Sequence, residues 1–336
     1  MEILSKVHSR NLVRWSQYKP DVYVLSADLT SSCEADLFRD TYPERFLSMG
    51  IAEQNMLAFA GGMARQGFTP FVHTFAVFIY RRAYDQIAMS VAYPNLPVKM
   101  FGFLPGILTP GGATHQAIED ISVMRSLPNM TILETGDATD VESVLDVAYQ
   151  ISGPVYIRQL RGEIPRLFDA NEPMIFDTPR KLSEGGDFVL LTSGICTEEG
   201  MRAVAALQDK AKIKISHYHI STLKPFNQPK IIKEISKSKY GAITLENHSV
   251  IGGLGTIVAE QMAEHGAGKS LRRLGLNDTF AHGASRRYLM AEYGLDAMKL
   301  IATVEDIVGK NFNISENSLA QTYTPAVHSN AKAEAL

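Results

Sequence analysis

Apolar positions fall in two periods along this chain. Short unbroken apolar runs alternate with stretches in which apolar residues recur every three or four positions, the spacing of a helix with one buried face. In the first half the runs Asp21–Leu25, Arg45–Leu47, Thr69–His73, Val98–Phe103, Met130–Glu134 and Val155–Arg158 read as buried strands. Between them the pattern predicts helices over 4–18, from Ala52 past Ala64, from Phe75 to about Val91, and over 138–151. Residues 1–165 therefore read as one alternating β/α domain. Residues 166–183 carry Pro173 and Pro179 with little periodicity and read as a linker. A second alternating set fills 184–312. Its strands are Asp187–Leu191, Ile213–Ile220, Ala242–Leu245 and Leu271–Leu274, and its helices Glu198–Asp209, Pro229–Lys237, Gly253–Glu264 and Leu295–Val308. Residues 313–336 are polar and weakly patterned, which predicts a flexible tail. The expected fold class is α/β, as two consecutive three-layer domains.

One stretch organises the first domain: Leu47-Ser48-Met49-Gly50-Ile51-Ala52-Glu53-Gln54-Asn55 and the apolar helix after it. Gly50 permits a tight turn. Glu53 then falls in the first turn of a helix, just past the carboxyl end of a strand, where open parallel sheets bind ligands. The helix dipole favours an ionised carboxylate there. Gly61 and Gly62 each cost roughly 1 kcal/mol inside a helix and make sense if another backbone packs very close. On pattern alone Glu53 reads first as an N-terminal charge on an ordinary amphipathic helix. Residues 104–117 form a second focus, a Pro- and Gly-rich loop long enough to suggest function.

Composition narrows the class. The 336 residues suit two domains, with 45% apolar and 21% charged residues. A formal net charge of −3 and the lack of a basic block argue against a nucleic-acid partner. Two cysteines, Cys33 and Cys196, are too few for a disulfide framework and favour a reducing, cytoplasmic compartment. No apolar run is long enough to span a membrane, and the N-terminus lacks a signal-peptide core.

Gly50-Ile51-Ala52-Glu53-Gln54-Asn55 resembles the pyrimidine-domain signature of the transketolase-like thiamine diphosphate enzymes. In that family the Glu hydrogen-bonds N1′ of the aminopyrimidine, which implies a catalytic and cofactor-binding role for Glu53. Thr74-Phe75-Ala76-Val77-Phe78 and Arg82-Ala83-Tyr84-Asp85-Gln86 are similar to the segments whose rings enclose the aminopyrimidine. The resemblance thus implies Phe75, Phe78 and Tyr84 as cofactor-binding, with Asp28 and Leu29 lining the cleft. Gly112-Ala113-Thr114-His115-Gln116 resembles the family's Gly-x-Thr-His-Gln, in which the His contacts donor-sugar hydroxyls, so His115 is the second implied catalytic residue. Residues matching Arg10, Ser32 and Arg161 grip the substrate phosphate in sugar-phosphate transketolases. Two guanidinium forks and a hydroxyl suit that task. Arg158, still on the strand, is the weaker candidate of the two nearby arginines. Leu245-Glu246-Asn247-His248 and Gly252-Gly253-Leu254-Gly255 resemble the C-terminal domain signature and receive no catalytic role.

Two departures shape the expectation further. The family binds Mg2+ and the diphosphate through a Gly-Asp-Gly motif, which Gly136-Asp137-Ala138 does not match, so no metal ligand is expected in this chain. The resemblance covers only the second half of a full transketolase. It implies a C-terminal subunit that works with an N-terminal-half partner holding the diphosphate and Mg2+, as an α2β2 heterotetramer acting on sugar phosphates. The loop before His115 reads Thr109-Pro110-Gly111-Gly112 where the family carries an acidic residue, and Phe103 stands where a phosphate-binding His is usual. These changes suggest an unusual acceptor, such as dihydroxyacetone phosphate, and a branched product of the apulose 4-phosphate type. The alternatives are the β subunit of a 2-oxo-acid dehydrogenase, a deoxyxylulose-phosphate synthase relative, and a non-catalytic scaffold subunit.

Overall fold

The computed structural model describes residues 2–322 and 327–330. The chain forms two α/β units, each built on a sheet of mainly parallel strands. In space the larger sheet runs Thr222–Lys224, Thr131–Glu134, Val155–Gln159, Lys99–Phe103, Thr69–Phe75, Val22–Ser26 and Phe46–Ser48. Six of these strands come from the first half of the chain and pair in parallel. The central strands are buried along their whole length, as expected where helices cover both faces. The smaller sheet runs Leu271–Leu276, Gly241–Ser249, Phe188–Thr192, Ile215–His219 and Arg180–Ser183.

The structure corrects several boundaries. The stretch 4–18 is not one helix. Ile3–Ser5 is a strand paired antiparallel with Glu163–Pro165, Lys6 turns the chain with φ 51°, and the helix is Val7–Ser16. Arg180–Ser183, inside the expected linker, joins the second sheet antiparallel to Ile215–His219. Strands of three or four residues carry too little alternation to be read from sequence. Phe75 ends its strand, and the helix after it is Ala76–Gln86 followed by a π-helical segment, Ile87–Ala92. Residues 313–336 were expected as a flexible tail. Two short helices, Glu316–Thr322 and Val327–Asn330, lie there, while 323–326 and 331–336 fall outside the described residues. Ser315 and Ser318 supply polar contacts at the start of the first, and the Glu198 carboxylate accepts the Val327 and His328 N–H groups of the second.

The two units are bolted together by polar groups that neither could leave buried alone. Thr222–Lys224 crosses over and extends the first sheet antiparallel to Thr131–Glu134. Arg158, fully buried, donates to Asp120 at 2.9 Å within the first unit and to the Asn247 carbonyl at 2.9 Å in the second. The Asp140 carboxylate meets His219 Nε2 at 2.9 Å, and the contact continues through Thr197 and Thr192 to His217.

Candidate active site

The site forms at the carboxyl edge of the larger sheet. Glu53 opens the helix Glu53–Arg65 with its side chain 3% exposed. No side chain caps this helix, so the free N–H groups of its first turn leave the Glu53 carboxylate in a positive field. Gly61 lets the same helix seat against the π-helical segment, because a Cβ there would stand 2.4 Å from the Ser90 carbonyl oxygen. Gly62 has open space around it, so only one of the two glycines serves close packing.

The next element supplies the aromatic wall. Phe75 ends the strand and Phe78 lies in the first turn of the following helix, so the turn brings their rings together, stacked at 5.9 Å and 24°. His115 meets both rings edge-on, at 6.5 Å from Phe75 and 5.5 Å from Phe78. Its Nδ1 lies 2.9 Å from Thr114 Oγ1, which leaves Nε2 as the ring's other polar atom. His115 rests on Gly111, where a Cβ would come within 3.0 Å of the imidazole. Gly111 is thus part of the seat of His115 itself.

One partner of Glu53 escaped the sequence reading. Arg82 Nη1 donates to Glu53 Oε1 at 2.6 Å, and its guanidinium carbon lies 3.9 Å from the centre of the Phe78 ring. The signal was available: Phe78 and Arg82 are four apart on one helix and share a face. Neighbouring Arg81 instead holds the 104–117 loop, donating to Glu119 and the Ala113 carbonyl. That loop is gripped from the second unit as well. Asn247 accepts from Ile107 N–H at 3.0 Å and donates to the Pro105 carbonyl at 3.0 Å. Gly106 is required there, since a Cβ would fall 2.1 Å from Asn247 Oδ1. The Leu245–His248 segment, assigned no catalytic role, therefore positions the His115 loop.

The remaining sequence-selected residues separate. Arg161 Nη1 donates to the Ser32 carbonyl at 2.7 Å, so these two meet through backbone oxygen and not through the Ser32 hydroxyl. The Arg161 guanidinium also lies 5.8 Å from the Phe75 ring centre, which connects this pair to the aromatic wall. Glu34, also missed, clasps the region: it accepts from Gly162 N–H at 2.8 Å and from Ser9 N–H at 3.3 Å. Arg286, from the second unit, lines one small cavity together with Arg161, Leu104 and Pro110. Arg10 is exposed on the Val7–Ser16 helix, and its guanidinium makes no hydrogen bond or ion pair among the described residues. Tyr84 is turned toward Ser126, with its hydroxyl 3.2 Å from Ser126 Oγ. Asp28, at φ 61°, is exposed and Leu29 half-buried in the turn after Val22–Ser26. Phe103 is fully buried against His8 and His73, so it belongs to the core of the sheet. Arg158 is likewise a buried structural ion.

Glu53, Phe75, Phe78 and His115 thus form an aromatic shelf beside a buried carboxylate. That shape fits a flat heteroaromatic ring carrying an in-plane hydrogen-bond donor.

Comparison with known proteins identifies both domains. The family model "Transketolase, pyrimidine binding domain" matches residues 4–166, and "Transketolase, C-terminal domain" matches 178–300. The 6-deoxy-6-sulfo-D-fructose transketolase subunit SqwH of Clostridium sp. (strain MSTE9) is 36% identical over 90% of this chain and 93% of its own. An apulose-4-phosphate transketolase subunit of Actinobacillus succinogenes is 31% identical over 84% of this chain and 90% of its own. A solved structure, "Split gene transketolase, inactive beta4 tetramer", superposes with a TM-score of 0.83 at 35% identity, over 90% of this chain and 97% of that one. These relatives do not favour a dehydrogenase β subunit or a scaffold. The chain belongs to the transketolase family, and its two domains are those of a split transketolase subunit.

Proposed function

We propose that this chain is the C-terminal subunit of a split transketolase. It binds thiamine diphosphate between its first domain and an N-terminal-half partner, which holds the diphosphate and Mg2+. The bound cofactor supplies the carbanion-stabilising chemistry of two-carbon ketol transfer. This chain supplies orientation: Phe75 and Phe78 offer a stacking face, and Glu53 holds a proton at the ring nitrogen facing it. His115 sits against the same rings, where its imidazole can donate to or accept from a substrate hydroxyl. The observation that carries the reading is the buried Glu53 carboxylate beside the stacked Phe75 and Phe78.

The partner requirement is supported by the relatives, which are themselves named as subunits, and by the inactive β4 state named for the solved one. Exposed apolar side chains suit a docking surface there: Ile51 and Phe59 precede or lie on the Glu53 helix, and Met89 and Tyr93 lie on or just after the π-helical segment packed against it. An α2β2 heterotetramer is the inferred assembly. The inferred compartment is the cytoplasm, which suits two buried free thiols.

The substrates inferred are sugar phosphates, with Arg161 the principal phosphate ligand and Arg10 and Ser32 secondary. Gly111 in place of an acidic residue favours an acceptor without the usual α-hydroxyl, hence a branched ketose phosphate of the apulose 4-phosphate type. The test is a competition assay of the reconstituted pair. Xylulose 5-phosphate is supplied as the common ketol donor, ribose 5-phosphate and dihydroxyacetone phosphate are offered as acceptors, and kcat/KM is compared. A preference for dihydroxyacetone phosphate, with apulose 4-phosphate as the product, is expected, and a clear preference for ribose 5-phosphate overturns the branched-sugar reading while keeping the transketolase one.

A further inference from the structure

The Arg82 side chain rests where the proposed function needs a ring, and the inference that follows depends on that reading of Glu53, Phe75 and Phe78. A guanidinium is flat and cationic and carries its N–H donors in its own plane. Here it lies 3.9 Å from the Phe78 ring centre and donates in-plane to Glu53 Oε1 at 2.6 Å. An aminopyrimidine would need those same two contacts, a stacking face and one carboxylate acceptor. Arg82 is the only side-chain partner of the Glu53 carboxylate among the described residues.

We propose that Arg82 is an internal stand-in for the aminopyrimidine, occupying its subsite in the free chain and swinging out when the cofactor binds. Exposure makes the exchange feasible. The Arg82 side chain is 42% exposed and can return to water, whereas Glu53 is 3% exposed and cannot remain unpaired. The ring nitrogen facing Glu53 takes up a proton from solvent as the ligand binds, and that N–H replaces the guanidinium's, so the carboxylate never stands alone. Arg81 cannot substitute, because Glu119 and the Ala113 carbonyl hold it on the loop side. The stand-in lowers apparent cofactor affinity by the fraction of chains in which the subsite is filled.

The test uses the full-length chain and thiamine, a probe that carries the pyrimidine but requires neither a diphosphate site nor a metal. Binding is followed by saturation-transfer NMR, with circular dichroism to verify folding. Arg82→Ala should bind thiamine roughly 3- to 10-fold more tightly than the wild type, the scale of an exposed ion pair plus a cation–π contact. Arg82→Lys keeps the charge without the plane and should fall between. Equal or weaker binding by Arg82→Ala overturns the stand-in role, and so does undetectable binding by every form. The parent reading is judged separately, by calorimetry of the reconstituted pair with thiamine diphosphate and Mg2+. If that wild-type pair binds tightly and Arg82→Ala binds no better, only the stand-in fails. If the wild-type pair does not bind, the transketolase site itself is wrong.

Discussion

His8 and His73 share a single buried hydrogen bond, Nε2 to Nε2 at 3.0 Å, with both rings at 0% exposure. His73 Nδ1 donates to the Phe71 carbonyl at 3.1 Å, so its Nε2 is the acceptor and His8 Nε2–H the donor. A proton added to His73 would therefore set two donors against each other in the core. Burial holds His8 well below the usual imidazole value and His73 at about 4. The unfolded chain takes up protons near pH 6.5, before the fold does, so stability from this pair is intact above 6.5 and falls between about 6.5 and 4. Thermal melts from pH 7.5 to 4.5 should show a shallower fall in His73→Phe than in wild type, the remainder belonging to His8, His217, His248 and His328, which burial also holds low. Parallel acid profiles in the two proteins would remove the histidine pair as the cause.

Glu53→Gln keeps shape and hydrogen-bonding reach but loses the carboxylate. Turnover of the reconstituted pair should fall at least about 100-fold, the scale of lost acid–base assistance. Steady-state kinetics at saturating cofactor decide it, and near-normal turnover would strip Glu53 of its proposed role.

Arg161→Ala should raise KM for phosphorylated sugars by roughly 10- to 150-fold, as expected for one charged hydrogen bond. Unphosphorylated sugars should be almost unaffected. Because Arg161 meets the Ser32 carbonyl, Ser32→Ala should shift KM much less than Arg161→Ala does. Equal KM increases for phosphorylated and plain sugars would point to a collapsed loop in place of a lost phosphate ligand.

The adjacent glycines should respond in opposite directions. Gly61→Ala forces a methyl to 2.4 Å from the Ser90 carbonyl oxygen and should destabilise by about 1–3 kcal/mol. Gly62→Ala meets nothing within 4 Å on an exposed helix face and should stabilise by up to about 1 kcal/mol. Chemical denaturation of the two variants measures both, and losses of similar size at the two positions would contradict the packing described.

The chain alone fixed what depends on local period and chemistry. Unbroken apolar runs announced the long parallel strands, because strands covered on both faces need no polar alternation. Gly50 and the apolar stripe after Glu53 placed that carboxylate in a first helical turn, where the structure has it. The Phe75–Phe78 pair was marked by the resemblance, but the junction between them was not, since Phe75 ends its strand where a helix start was expected. Tertiary structure decided whatever depended on which element meets which. Arg158 and Arg161 are three residues apart, yet one is a fully buried bolt between domains and the other lies beside Phe75, because a strand ends between them. Asn247 gripping Pro105 and Ile107 joins positions more than a hundred residues apart, beyond the reach of any periodicity. Thr222–Lys224 crossing into the first sheet blurs a division that the sequence drew cleanly. Arg82 is the sharpest instance. Its helical register was legible, but the choice between solvent and Glu53 rests on a carboxylate buried by a different helix, and only folding puts the two together.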